Sequence, residues 1–93
     1  MIRSFGSKET ERLWRRERVP SIDPRSQRVA LRKLRQVGSV EVLGDLRVPP
    51  GNRLEALKGD RAGQHSIRIN DKWRVCFVWT DTGPEEVEIV DYH

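Results

Sequence analysis

The chain has 93 residues and a single cysteine, Cys76, so we expect one domain over residues 1–93, with no internal disulfide framework. No apolar run approaches the roughly 20 residues of a membrane span, and no signal-peptide pattern follows Met1, which predicts a cytoplasmic protein without a membrane partner. The net charge is +4, and the basic residues are unevenly distributed, because residues 1–36 hold eleven of the 18. This bias is equally consistent with a polyanionic partner and with basic helix faces that are simply solvated.

The N-terminal part of the chain predicts a short strand followed by two helices. Residues 2–5 alternate apolar and polar side chains, as a half-buried strand does. Ser7 can cap a first helix, which Pro20 prevents from running on. A second helix is expected to begin at Asp23-Pro24, a cap residue followed by proline at the first helical position, and to end at Gly38. The apolar stripe of this helix is Ala30, Leu34 and Val37.

Beyond a connector over residues 39–52, which holds one helical turn around residues 42–46, the hydrophobic period changes to two. The pair Asn70-Asp71 suits a two-residue hairpin loop, because both residues tolerate positive φ. The pattern predicts an α+β domain in which two N-terminal helices pack on a mainly antiparallel sheet that ends in a C-terminal strand meander. The expected strands are residues 53–57, 65–70, 73–79 and 86–92, and the expected aromatic core residues are Trp14, Trp73 and Trp79.

The loop from Lys58 to Gly63 is basic and contains two glycines. Its spacing is not that of a phosphate-binding P-loop. The glycines nevertheless allow backbone amides to approach a phosphate while Lys58 supplies positive charge. A turn with solvated charges is the alternative interpretation.

Two arginines flank the expected hairpin on the sheet face opposite the core. Adjacent strands bring Arg68 and Arg74 close together, and at roughly 4 Å and an effective dielectric near 20 their repulsion costs about 4 kcal/mol. A fold retains such a pair when an anion or an acidic side chain compensates for it. Either a bound phosphate or a structural salt-bridge network fits this requirement, and the candidate acids are Glu55, Glu88 and Asp91.

The chain ends in three proton-handling residues, Asp91, Tyr92 and His93. Histidine titrates near neutral pH, so His93 can serve as a general acid or base, with Asp91 to orient it and Tyr92 to contact a base or a phosphate oxygen. A frayed terminus is the alternative. His65 alternates with isoleucines and is expected to be a packed strand residue. Two histidines and one cysteine do not form a metal-ligand set, so we expect neither metal nor cofactor. The pattern indicates a small ribonuclease.

Several stretches of the sequence together resemble a known family. They are residues 49–61 (PPGNRLEALKGDR), 63–77 (GQHSIRINDKWRVCF), the ending VEIVDYH and the opening MIRSF. They resemble the HigB toxins, the plasmid-maintenance killer family of the RelE/ParE superfamily, over nearly the whole chain. The resemblance implies a RelE-like fold and a type II toxin that cleaves messenger RNA in the ribosomal decoding site by 2′-hydroxyl attack on the adjacent phosphate. It also implies a HigA-like helix-turn-helix antitoxin, and contact with operator DNA only through the antitoxin complex.

The same resemblance implies site residues. The expected catalytic residues are Lys58, Arg74, Asp91, Tyr92 and His93. Arg53, Glu55, Arg61 and Arg68 are expected to contact substrate and phosphate. Independently of the resemblance, the basic helices make the arginines at 12, 15, 16, 25, 28, 32 and 35 candidates for docking on ribosomal RNA. Some family members carry a catalytic histidine where this chain has Glu55, so the acid–base assignment stays open. A ParE-like gyrase inhibitor and a non-catalytic RNA-binding module are the alternatives on this scaffold.

Overall fold

The computed structural model describes residues 1–91 and consists of two helices packed on a four-stranded antiparallel sheet, so the predicted α+β class is confirmed. The strands follow the order β1-β2-β3-β4 in the sheet, and each pairs with its neighbour along the chain. Among the described residues, no helix is both long and apolar enough to cross a membrane. The elements are α1 (Lys8–Trp14), α2 (Pro24–Ser39), β1 (Glu55–Ala56), β2 (His65–Arg68), β3 (Trp73–Thr80) and β4 (Gly83–Asp91).

Both helices begin at the predicted cap residues. The Ser7 hydroxyl accepts a hydrogen bond from the backbone N–H of Thr10 at 3.1 Å. The Asp23 carboxylate accepts one from the N–H of Ser26 at 3.0 Å, and this bonding to Ser26 holds the pKa of Asp23 below its ordinary value. Local side-chain bonds therefore fix where the helices start.

The core lies between the helices and one face of the sheet. The predicted stripe of α2 is confirmed, because Ala30, Leu34 and Val37 are all buried against the sheet. The expectation that tryptophans supply much of the core is wrong: Trp14 is 36% exposed, and Trp73 and Trp79 only flank the core. Aliphatic side chains and Phe77 fill the interior instead, which leaves the larger indoles at its margins.

The N-terminal residues pair with β4 without forming a full strand. Phe5 makes an isolated parallel bridge with Val87, and the N–H of Arg3 donates to the Pro84 carbonyl at 2.8 Å. At Gly6, a Cβ atom would lie 2.9 Å from the Glu86 carbonyl oxygen. Close approach of the two backbones therefore requires glycine here.

The turn between β2 and β3 is longer than predicted. The N–H of Ile69 donates to the carbonyl of Trp73 at 2.9 Å, which leaves three residues in the turn instead of two. The Asn70 side-chain oxygen accepts hydrogen bonds from the N–H groups of Lys72 and Trp73, both at 2.9 Å. This Asx arrangement stabilises the longer loop and sets the register of the hairpin.

The connector before β1 is organised around Asn52, which is fully buried. Its amide nitrogen donates to the Leu46 carbonyl and to the Gln36 side chain, both at 3.1 Å. Its amide oxygen accepts from the Lys33 ammonium at 2.5 Å. These bonds tie the chain leading into β1 to α2, and they thereby position the edge of the sheet that carries the candidate site.

Candidate functional site

A cleft of about 580 Å³ opens on the sheet face opposite the helices. It lies beside β1 and the loop that joins β1 to β2. The lining combines side chains from β1, that loop, β3 and the end of β4. The charged lining residues are Glu55, Lys58, Asp60, Arg61 and Asp91, and Cys76 and Val90 are among the other residues that line the cleft.

Lys58 stands at the end of β1, where the chain turns into the loop. The backbone of Gly59 has φ 65° and that of Gly63 has φ 93°, conformations that glycine adopts without strain. The Lys58 side chain is exposed, and within residues 1–91 no carboxylate forms an ion pair with it. Its ammonium can therefore bind an anion that enters the cleft.

Arg61 is the second cation of the cleft lining, and it is partly neutralised. Its guanidinium donates to the side-chain oxygen of Gln64 at 3.1 Å and lies 3.3 Å from a carboxylate oxygen of Glu88. Both side chains of the ion pair are about one-third exposed. A phosphate in the cleft would compete with Glu88 for this guanidinium.

Arg74 has a different position from the one expected of a phosphate ligand. The residue is only 6% exposed, and within the described chain it is not among the residues that line the cleft. Its Nε donates to the Ser66 hydroxyl at 2.8 Å, and its Nη2 donates to the Arg53 carbonyl at 2.9 Å. The same nitrogen lies 3.5 Å from the Glu55 carboxylate. The guanidinium thus lies beneath the edge of the cleft, bonded to β1 and β2.

The other two predicted phosphate-binding arginines also lie outside the cleft lining. Arg68 forms an ion pair with Asp71 in the β2–β3 turn. Arg53 is exposed and has a left-handed backbone (φ 47°), and its carbonyl accepts the bond from Arg74. Of the predicted set, the structure therefore brings Glu55, Lys58, Arg61 and Asp91 together in one cleft.

The C-terminal strand delivers Asp91 to this cleft. Asp91 pairs with Trp73 at the end of the β3–β4 ladder, and its carboxylate lies 4.0 Å from the Lys72 ammonium. Tyr92 and His93, both predicted to be catalytic, lie outside the residues that the structure describes.

Two residues in or beneath the cleft, Cys76 and Ser66, were not singled out as functional in the sequence. Burial raises the pKa of the Cys76 thiol, which keeps it protonated at neutral pH. Ser66, fully buried beside it, holds Arg74. The sequence did contain a signal for the position of Ser66, because the alternation in this strand places it on the same sheet face as Arg68. His65 stacks on Phe77 at 6.5 Å on the opposite face, as expected of a packed strand residue. Within residues 1–91, no group of three or more His, Cys, Asp and Glu side chains could hold a metal ion.

Comparison with known proteins gave three findings. A family profile described as the RelE-like toxin of the type II toxin-antitoxin system HigB matches residues 3–93. Toxin HigB-1 from Vibrio cholerae is 38% identical over 82 residues, which cover 87% of this chain and 86% of that protein. The YoeB-YefM complex from Staphylococcus aureus contains a chain of similar structure, with a TM-score of 0.63 over 100% of this chain and 98% of that one. At 17% identity, the last likeness concerns the fold alone.

Proposed function

The chain belongs to the HigB-like family of RelE-like toxins of type II toxin–antitoxin systems, and on that premise we propose that it is a ribosome-dependent endoribonuclease. Its substrate is messenger RNA in the decoding site, and cleavage inhibits translation. The observation that carries the proposal is the cleft in which Lys58 and Arg61 lie with Asp91, the first residue of the terminal acid–phenol–imidazole trio. A cleft with two cations beside a carboxylate suits a phosphodiester.

The reaction is an attack by the 2′-hydroxyl oxygen on the neighbouring phosphorus. The O2′–P bond forms, the bond from phosphorus to the 5′-oxygen of the next nucleotide breaks, and a 2′,3′-cyclic phosphate remains. Negative charge develops on the non-bridging oxygens, and Lys58 and Arg61 donate to them. Removal of one preorganised donor of this kind typically costs about 10²–10³ in rate.

Proton transfer is assigned to the chain terminus. A base removes the proton of the 2′-hydroxyl, and an acid protonates the leaving 5′-oxygen. His93 can exchange protons near neutral pH, which is worth on the order of 10²–10⁴ in rate, while Asp91 orients it and Tyr92 positions a base or the leaving oxygen. This assignment is supported by the location of Asp91 in the cleft lining.

Glu55 is better suited to anchor Arg74 than to act as the base. Its carboxylate lies 3.5 Å from the Arg74 guanidinium, which is nearly buried. The Glu55 carboxylate is thus engaged as the counter-charge of that guanidinium. Arg74 therefore has a structural role beneath the cleft, and Arg68, paired with Asp71, lies outside the cleft lining.

The proposed partners are the ribosome with its message and a HigA-like helix-turn-helix antitoxin, with operator DNA bound only through the toxin–antitoxin complex. The solved structural neighbour is itself named as a complex, of YoeB with YefM. The ribosome supplies substrate alignment, which allows so small a protein to act. Action on translating ribosomes implies that the protein acts in the cytoplasm. Among the helix arginines expected to dock on ribosomal RNA, Arg16, Arg28 and Arg35 line a groove between α1 and α2.

The proposal is tested with purified protein, programmed ribosomes and mapping of message ends by primer extension. We expect cuts at the decoding site that require ribosomes and are lost in Lys58→Ala and His93→Ala. Lys8→Ala is the matched control, because Lys8 is an exposed lysine of α1 outside the cleft. Ribosome-free RNA is tested alongside.

Intact message in the presence of folded, growth-inhibiting protein would refute the proposal. Inhibition of DNA supercoiling would then indicate a ParE-like gyrase inhibitor. Binding of RNA that depends on Lys58 and His93, without cleavage, would indicate a passive RNA-binding module.

A further inference from the structure

Ser66 is a fully buried polar residue at the centre of the sheet face that carries the cleft. It pairs with Glu55 of β1 on one side and with Cys76 of β3 on the other. Both of these neighbours line the cleft. The Ser66 hydroxyl accepts a hydrogen bond from Arg74 Nε at 2.8 Å.

Arg74 continues this bond toward the edge of the sheet. Its Nη2 donates to the Arg53 carbonyl at 2.9 Å and lies 3.5 Å from the Glu55 carboxylate. One guanidinium therefore joins β2 and β3 to the residues at the start of β1. Lys58 lies three residues beyond Glu55, at the point where the same short strand enters the loop.

The edge strand is short, although the Asn52 bonds tie the preceding residues to α2 and the Leu57 N–H donates to the Gln64 carbonyl at 2.9 Å. β1 contains two residues, and its register with β2 consists of Glu55 opposite Ser66 and Ala56 opposite His65. So short a strand depends on additional contacts for a fixed position. The Arg74 side chain supplies some of these contacts from beneath the cleft, and its Nε bond to Ser66 orients the guanidinium.

We propose that Ser66 is a positioning residue for the reaction: its hydroxyl fixes the Arg74 guanidinium, which holds β1, and with it Lys58, at the cleft. This inference rests on the proposed nuclease function. Ser66 itself is fully buried and is not among the described residues that line the cleft. It acts through the orientation of a neighbouring charged group, and small displacements of such groups affect the chemical step more than binding.

The first measurement does not depend on activity. The Nε–H of Arg74 is buried and hydrogen-bonded, so its resonance in ¹H–¹⁵N spectra should exchange slowly with water, and Arg74→Lys identifies it. In Ser66→Ala we expect exchange to be faster by about 10-fold or more, because the donor has lost its acceptor. Ser26→Ala is the matched control, since Ser26 is also buried and accepts a side-chain bond, from Asn70 at 2.9 Å, but lies in α2. Equal protection in Ser66→Ala and in the unsubstituted protein would overturn the proposal.

The second measurement is single-turnover cleavage on programmed ribosomes. Ser66→Ala should lower the rate at saturating ribosomes by about 10-fold and leave the half-saturating ribosome concentration unchanged. In an Arg74→Lys background, Ser66→Ala should cause no further loss, because the bond it would remove is already absent. A Ser66→Ala rate equal to that of the unsubstituted protein, despite faster exchange at Arg74, would overturn the role in the reaction. If the unsubstituted protein leaves message intact, the nuclease proposal fails, and the role in the reaction fails with it. The exchange measurement then still decides whether Ser66 holds Arg74.

Discussion

Arg68 and Arg74 lie directly opposite each other in the β2–β3 ladder, and each guanidinium is neutralised by a different carboxylate. Arg74 contacts Glu55 across two strands, whereas Arg68 contacts Asp71 in the adjoining turn. Each carboxylate offsets part of the repulsion of about 4 kcal/mol expected for two guanidinium groups roughly 4 Å apart. Of the acids anticipated as compensating neighbours, Glu55 is the one that contacts Arg74.

The contact between Glu55 and Arg74 predicts how a Glu55→Gln substitution behaves. Because the Glu55 side chain is 45% exposed, we expect the free energy of unfolding to fall by less than about 1 kcal/mol. The cleavage rate should fall by less than about 10-fold, and the acidic limb of the pH–rate profile should be kept. Glu41→Gln, an exposed substitution in the connector, is the control. Loss of the acidic limb in Glu55→Gln alone would identify Glu55 as the general base.

The arginines of α2 that line the helix groove predict a salt-dependent contribution to ribosome binding. In a double Arg28→Gln, Arg35→Gln variant, we expect the slope of log affinity against log salt to fall by roughly 1.5, as for two lost phosphate contacts. Arg3→Gln with Arg47→Gln is the matched control, because both of these arginines are exposed and lie outside α1 and α2. Equal slopes for the two double variants would exclude the groove as an RNA-docking surface.

Burial of Cys76 predicts a thiol of low reactivity. Burial raises the pKa of the Cys76 thiol, so the thiolate fraction at a given pH is smaller than in the unfolded chain. Alkylation by iodoacetamide at pH 8 should be slower than for the urea-unfolded protein by about 10-fold or more.

The raised pKa of Cys76 also predicts how the free energy of unfolding changes with pH. The contribution of the neutral thiol is complete below the pKa of an unfolded cysteine and is lost as pH rises through the raised folded pKa. The free energy of unfolding should therefore fall more steeply at alkaline pH in the unsubstituted protein than in Cys76→Ala. A folded-state alkylation rate equal to the unfolded one would contradict both statements.

The buried amide of Asn52 predicts a large effect on stability. Asn52→Ala would leave the Lys33 ammonium and the Leu46 carbonyl without this partner, and we expect a loss of about 3 kcal/mol in urea unfolding. In Ser39→Ala, which removes an exposed hydrogen bond to the Gln36 carbonyl, the change should stay within about 0.5 kcal/mol. Similar values for the two variants would show that the connector does not depend on Asn52.

The sequence by itself determined the features that arise from local interactions. Ser7 and Asp23 each bond a backbone N–H three residues away, so both helix starts could be read from adjacent residues. The period of the apolar residues gave the buried stripe of α2 and the class of the fold. The family could also be identified, because its central motif and its ending are contiguous in the chain, and the comparisons confirm it.

The tertiary structure decided which distant residues meet. A two-residue turn at Asn70-Asp71 would have shifted the hairpin by one residue, and the Asx bonds of Asn70 set the observed register instead. That register places Ser66 within hydrogen-bonding distance of Arg74, and Arg74 also contacts β1. Arg74, which was expected to bind phosphate, is therefore buried, whereas Arg61 lines the cleft. The residues joined by the Arg74 bonds to Ser66 and Arg53 and by the Arg61–Glu88 ion pair are 8 to 27 positions apart in the sequence. Local propensity carries no information about pairs so far apart in the sequence. Several charged side chains could form similar ion pairs, and the packing of the strands and the loop decides which pairs form.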